Sequence, residues 1–163
     1  QGGGLGGNLQ RVAALIAAEM PTRLYYVTYQ GNNFDTHVQQ ADLHSRLLMY
    51  TADALRGFID DVKRLGRGDD VAVMIFTEFG RRVEENGSLG TDHGTATPMF
   101  IVGKGVKGGL YGRPPSLTDL DDGNLKMTTD FRRVYATMID GWLGCSQTSM
   151  ILKGQFETFK VFA

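Results

Sequence analysis

The sequence predicts an α/β protein: three layers, with a mostly parallel sheet and helices on both faces. Three observations carry that expectation. Long amphipathic helical patterns alternate with short β-branched and aromatic runs, the order of a sheet built through crossover helices. Residues 71–76, VAVMIF, form a continuous apolar run of strand length. A strand apolar on both faces belongs in the middle of a covered sheet. Polar clusters follow the predicted strands, where open α/β sheets place their ligands.

The elements read as follows. Gln1 to Gly7 is structureless by its glycines, and Asn8 caps a helix through Glu19 with Leu9, Val12, Ala13, Leu15 and Ile16 on its apolar side. Pro21 ends it. RLYYVTY, residues 23–29, reads as a first strand, and Gln30 to Asn33 as a turn. Residues 42–65 form one long helix, with Leu43, Leu47, Leu48, Leu55, Phe58, Ile59, Val62 and Leu65 at three- and four-residue spacing and Gly66 as its stop. VAVMIF is the second strand. Residues 80–97 lack periodicity, carry Asn86-Gly87, Gly90 and Gly94, and read as a long loop. PMFIV, residues 98–102, is a third strand, and residues 103–122 a loop rich in glycine and proline. Thr128 or Thr129 caps a helix over 130–143, closed by Gly144. The strands should share one sheet, the first two parallel and joined by a right-handed crossover through the long helix.

Three strands make a thin sheet, and the chain opens on QGGGLGGNLQ. The expectation is therefore a single domain over residues 1–163 that is the C-terminal part of a larger one. An exposed sheet edge would then be covered by the remainder of its own chain or by a second copy.

Composition narrows the function classes. The chain has 163 residues, 42% hydrophobic and 21% charged, which fits one globular domain and excludes a disordered tail. Seventeen basic residues against 18 acidic ones leave a net charge of -1, so no global field favours nucleic acid. No apolar run approaches the roughly 18 residues of a membrane span. The single cysteine, Cys145, excludes an internal disulfide and a multi-cysteine metal site. It follows a helix end, where nothing favours its thiolate, and reads as structural. The scattered glycines of 103–109 do not form a dinucleotide or phosphate loop.

The polar clusters are Asp35-Thr36-His37, then Thr77-Glu78-Phe79-Gly80-Arg81-Arg82, then Asp92-His93-Gly94. Carboxylates with imidazoles are the ligand set of zinc, manganese or iron. The residue types alone leave a second reading open. Asp35 and Asp92 also suit turns, His37 and His93 can be ordinary loop residues, and Arg81, Arg82, Glu84 and Glu85 can be solvated charges. His44, in the first turn of the long helix, is expected to cap or pack against the preceding loop.

NFDTHVQQADLHSRLL, VMIFTEFGRRVEENGSLGTDHGTATPMFIVGKGVKGGLYG and TTDFRRVYATMIDGWLG resemble the C-terminal part of the bacterial DUF1501 family. That family is similar to the alkaline phosphatase and sulfatase superfamily. The resemblance runs from about Leu9 to Phe162, and FDTH, EFGR and DHG in this order carry it. QGNNFDTH departs from the family's tighter GGFDTH or GGWDTH.

The resemblance implies an alkaline phosphatase-like fold and a metal centre. Asp35 and His37 resemble the superfamily's first Asp and His, although spaced more tightly. Thr77-Glu78-Phe79-Gly80 stands where a TADHG-like turn stands, with Glu78 for its Asp and Phe79 for its His. His93, five residues before Pro98, resembles the last loop His. A second register matches Asp92-His93-Gly94 to that turn instead; the first is preferred because TEFG directly follows a buried strand.

On this reading Asp35, His37 and His93 hold one divalent metal, and Glu78 and Asp92 lean toward a second. Zinc or manganese fits best, with calcium or magnesium as alternatives. Arg81 or Arg82 would take the non-bridging oxygens of an anionic ester. The superfamily's nucleophile comes from an N-terminal segment that no stretch here matches. The implied function is a metal-dependent hydrolase of phosphate or sulfate esters, with a single-metal mutase or transferase as a weaker variant. Phe79 in a ligand position favours another class: a non-catalytic exported or cell-surface protein that keeps the fold for binding or structure. The family's frequent twin-arginine export signal implies a periplasmic or cell-surface location.

Overall fold

The computed structural model describes residues 4–29, 31 and 33–162. Gln1–Gly3 of the expected flexible start, and Gln30 and Asn32 of the expected turn, lie outside the described residues. The chain divides into two compact units, residues 1–71 with 84–92, and residues 72–83 with 93–163.

The first unit is built on two helices, α1 (Leu5–Ala17) and α2 (Gln40–Arg64). Their apolar stripes meet, burying Leu9 and Ala13 of α1 and Leu47, Phe58 and Val62 of α2. Val62 is almost fully enclosed at 1% exposure, so this seam is the unit's core. α1 starts earlier than its sequence implies: Gly4, not Asn8, is the N-cap. Asn8 instead sits within the helix and accepts a hydrogen bond from Arg11 Nη1 at 2.9 Å. Gly66, at φ +71°, ends the second helix as expected.

Residues 23–29 correct the expected first strand. They have no ladder partner among the described residues. Their burial nonetheless alternates, with Leu24 and Tyr26 each 75% exposed and Tyr25, Val27 and Tyr29 partly covered. The period-two pattern is real, but it reports which side chains face the unit, not a hydrogen-bonded neighbour.

In the second unit, β1 (Ala72–Ile75) pairs with β4 (Phe100–Gly103) antiparallel, in the register Ala72 to Gly103 through Ile75 to Phe100. The expected three-layer, mostly parallel sheet is thereby overturned. Among the described residues the strands form three two-stranded sheets: β1 with β4, β2 (Gly80–Glu85) with β3 (Thr91–Gly94), and β5 (Leu120–Asp121) with β6 (Asn124–Leu125), the last pair antiparallel. The physical reason lies between β1 and β4. A parallel pair needs a crossover, usually a helix, whereas residues 76–99 hold the β2–β3 hairpin and return the chain in the opposite sense.

That hairpin replaces the long loop expected over 80–97. Backbone lies so close to its glycines that a Cβ on Gly80 would stand 1.8 Å from the Ala96 carbonyl oxygen, just beyond β3, and one on Gly94 2.5 Å from the Arg81 carbonyl carbon. Gly94, read as a loop glycine, and Gly80 are strand positions where only hydrogen fits.

The last expected helix is capped by Asp130, not by Thr128 or Thr129. Asp130 Oδ1 accepts from the Arg132 amide at 2.9 Å. It runs as α3 (Phe131–Ala136) and then widens into a π-turn (Thr137–Trp142). Thr137, 1% exposed, donates its hydroxyl to the Arg133 carbonyl and accepts from the Phe159 amide at 2.8 Å. Gly144 follows at φ +64°. A final turn, α4 (Thr148–Ile151), precedes a C-terminal segment held on α3 by Arg132 over Phe156 and Arg133 over Phe159, each 4.5 Å from the ring centre. No helix among the described residues is long and apolar enough to cross a membrane.

Candidate metal centre

In the first unit the site is built on the extended segment before α2. Side chains alternate sides along an extended chain. Thr36 points inward, 5% exposed, and accepts Gln40 Nε2 at both its hydroxyl (2.8 Å) and its carbonyl (2.9 Å). Asp35 and His37, either side of it, therefore project together: His37 Nε2 lies 2.9 Å from Asp35 Oδ1. The other ring nitrogen, Nδ1, is 3.6 Å from Asp92 Oδ1. His37 thus stands between two carboxylates, one within hydrogen-bond reach and one just beyond it.

Asp92 reaches that place through the hairpin tip. Asn86 donates from Nδ2 to the His37 carbonyl (3.2 Å) and to Asp92 Oδ1 (3.1 Å). Its Oδ1 accepts from the amides of Ser88 (2.9 Å) and Gly90 (3.1 Å). Both donors and both lone pairs of the amide are used. The tip also supplies what the start of α2 lacks. Gln39 sits at φ +43° with no side-chain cap, and the amides of Gln39 and Gln40 donate to the carbonyls of Ser88 and Leu89, each at 2.9 Å. These contacts satisfy helix-start donors that would otherwise be orphaned. Thr91 Oγ1 completes the stitching with Gln40 Oε1 at 2.8 Å.

In the second unit, His93 lies flat on Phe79, with ring centres 3.8 Å apart and planes 12° from parallel. Arg81 stands over the same phenyl ring at 5.1 Å. Arg82 turns elsewhere, its Nη1 3.3 Å from where a Cβ on Gly123 would be, at the β5–β6 turn. Of the two arginines, Arg81 alone shares an aromatic contact with a candidate ligand. Glu78 is exposed on the segment between β1 and β2. His44 packs edge-on against Phe34 of the preceding loop, ring centres 5.6 Å apart, as its place in the first turn led us to expect. Cys145 is a free, partly covered thiol.

Asp35 and His37 were visible in the sequence as a pair. Asn86 and Gly90, which hold them, were not, because their partners are distant in the chain. The Asn86-Gly87 dipeptide announced a turn without announcing what it would grip.

A model of the family described as DUF1501, protein of unknown function, matches residues 8–154. No curated protein and no solved structure matches the chain. With the match running from the middle of α1 to beyond α4, the chain belongs to the DUF1501 family.

Proposed function

We propose that this chain contributes the metal-binding part of a divalent-metal-dependent hydrolase of phosphate or sulfate esters. The observation that carries the proposal is His37, with Asp35 Oδ1 2.9 Å from one ring nitrogen and Asp92 Oδ1 3.6 Å from the other. Two partly exposed carboxylates beside one imidazole repel each other unless a cation or a proton lies among them. The donor chemistry fits zinc or manganese: Asp35, His37 and His93, the ligands the resemblance implies, would supply one carboxylate and two imidazoles. Asp92 and Glu78 are the further carboxylates of the proposal. A bound metal would act as a Lewis acid on the ester oxygen and lower the pKa of bound water.

The chain's own residues do the rest. Asp35, held against His37, fixes the orientation of its imidazole. Asn86 ties Asp92 to the His37 backbone and keeps that carboxylate in place. Arg81 is the cation assigned to the non-bridging oxygens of an anionic ester, because a guanidinium matches an oxyanion in a bidentate way. By its family resemblance the protein would work in the periplasm or at the cell surface.

One observation favours a second reading, a non-catalytic binding or structural protein of the exported class. Phe79 occupies the place where the resemblance needs a histidine ligand, and its ring is engaged by His93. Metal analysis of the purified chain separates the two. Zinc or manganese retained at near-stoichiometric level, lost on His37→Ala, together with chelator-sensitive hydrolysis of p-nitrophenyl phosphate or sulfate, supports the hydrolase. Bound metal without hydrolysis favours the binding protein. No bound metal at all removes the metal-dependent reading.

A further inference from the structure

We infer that Phe79 is a positioning residue. Its ring fixes the plane of the His93 imidazole and carries the Arg81 guanidinium, so one side chain aims a metal-ligating edge and an anion-binding cation together. The inference rests on the metal reading above only for the use made of His93; the orientation itself is a property of the metal-free chain.

The argument begins with the strands. Gly80 and Gly94 admit no side chain, since a Cβ on Gly80 would fall 1.8 Å from the Ala96 carbonyl oxygen just beyond β3, and one on Gly94 2.5 Å from the Arg81 carbonyl carbon. Phe79 and Arg81 flank Gly80 two residues apart, a spacing that sends both side chains to one side of an extended chain. His93 flanks Gly94 on the facing strand, and its ring comes to rest on Phe79.

A stacked ring is engaged through its face. Both imidazole nitrogens carry their proton or lone pair in the ring plane, at the edge. Stacking at 3.8 Å and 12° thus restrains the ring through its face and does not itself engage the nitrogens at its edge. That combination suits a ligand held ready before its ion arrives. An exposed histidine without such a platform would sample several rotamers. Arg81 at 5.1 Å from the same ring gains a cation–π contact, and its donors remain in the guanidinium plane. The phenyl ring uses up no hydrogen-bonding capacity of either neighbour.

The test uses the intact chain with three variants, Phe79→Ala, Phe79→Trp and His93→Ala. In the metal-free protein, the His93 ring protons and the Arg81 Hε should resonate upfield in the NMR spectrum. The shift should vanish in Phe79→Ala and survive in Phe79→Trp, which restores a platform. On titration with cobalt(II), Phe79→Ala should bind about tenfold more weakly, the scale expected when support of a ligand is lost. Phe79→Trp should bind as the parent does, with the same visible spectrum. His93 ring shifts that do not move in Phe79→Ala would overturn the inference. So would an unchanged cobalt affinity in Phe79→Ala when His93→Ala has lost binding. If the parent binds no cobalt, the metal reading fails by itself and the ring shifts still decide whether Phe79 orients His93.

Discussion

Gly90 lies against the peptide after His37: a Cβ built on it would stand 2.2 Å from the His37 carbonyl oxygen and 2.4 Å from its carbon. Backbone meets backbone there, so no rotamer change relieves the clash. Gly90→Ala should cost about 2 kcal/mol or more, at the upper end of overpacking effects. Gly87, in the same turn, has nothing within 4 Å of its Cβ position, and Gly87→Ala should be nearly silent. Urea denaturation of the two variants checks the contrast. Equal destabilisation would show that the contact at residue 90 does not hold the tip.

Asn86 predicts a loss with two readouts. Asn86→Ala removes four hydrogen bonds, two of them from amides and one to the Asp92 carboxylate. Some of the exposed partners regain water, so the expected cost is about 1–3 kcal/mol. If Asp92 is a ligand, metal affinity should fall with stability. Asn86→Asp, which keeps the acceptor but adds a charge beside Asp92, should weaken folding more at neutral than at acid pH. Denaturation at two pH values, with zinc titration alongside, measures both.

The proposed ligands make a graded prediction. His37→Ala and His93→Ala should each remove most bound metal, because too few donors remain for a stable site. His44→Ala should leave the metal content near that of the parent, since its ring packs on Phe34. Elemental analysis of the three purified variants is the measurement. Retention of metal by His93→Ala would exclude that residue from the ligand set.

Asp130 supplies a pH dependence whose sign can be worked out. Its side-chain hydrogen bonds with Arg132, at 2.6 Å to Nη2 and 3.0 Å to Nε, together with the Arg132 amide, hold its carboxyl below the ordinary range. A depressed carboxylate stabilises the fold fully above its unfolded pKa, near 4, and loses that contribution as pH falls through the lower folded value. Asp130→Ala should cost about 1 kcal/mol at neutral pH, through loss of the α3 cap. Asp130→Asn keeps a capping oxygen and should lose chiefly the acid-sensitive part. Urea midpoints at pH 7 and pH 3 separate the two.

What the sequence disclosed follows from range. α1 and α2 were legible because three- and four-residue spacing of leucine, valine and phenylalanine is local information. The alternation in residues 23–29 was legible too, yet alternation cannot name a hydrogen-bonded partner. β2 and β3 escaped because GRRVEE and TDHG are polar and half exposed, so no apolar stripe marked them. For the candidate site, Asp35 and His37 declared themselves as neighbours. Asn86 and Thr91 join the segment Thr36–Gln40 across 49 and 51 residues, a distance over which pattern is silent and only tertiary geometry speaks.

The π-turn after α3 bears on how this chain can change length. A π-turn is a helix that has taken in one residue more than its neighbours, here opening on buried Thr137 and closing on Trp142, whose ring meets Phe162 at 5.4 Å. Removing a single residue from 138–141 would tighten that turn into ordinary helix and leave α3 and its cap as they are. The same deletion in the middle of α2 would swing Phe58 and Val62 about 100° away from α1. Among relatives, one-residue gaps should therefore collect at this turn and be absent from the seam between α1 and α2.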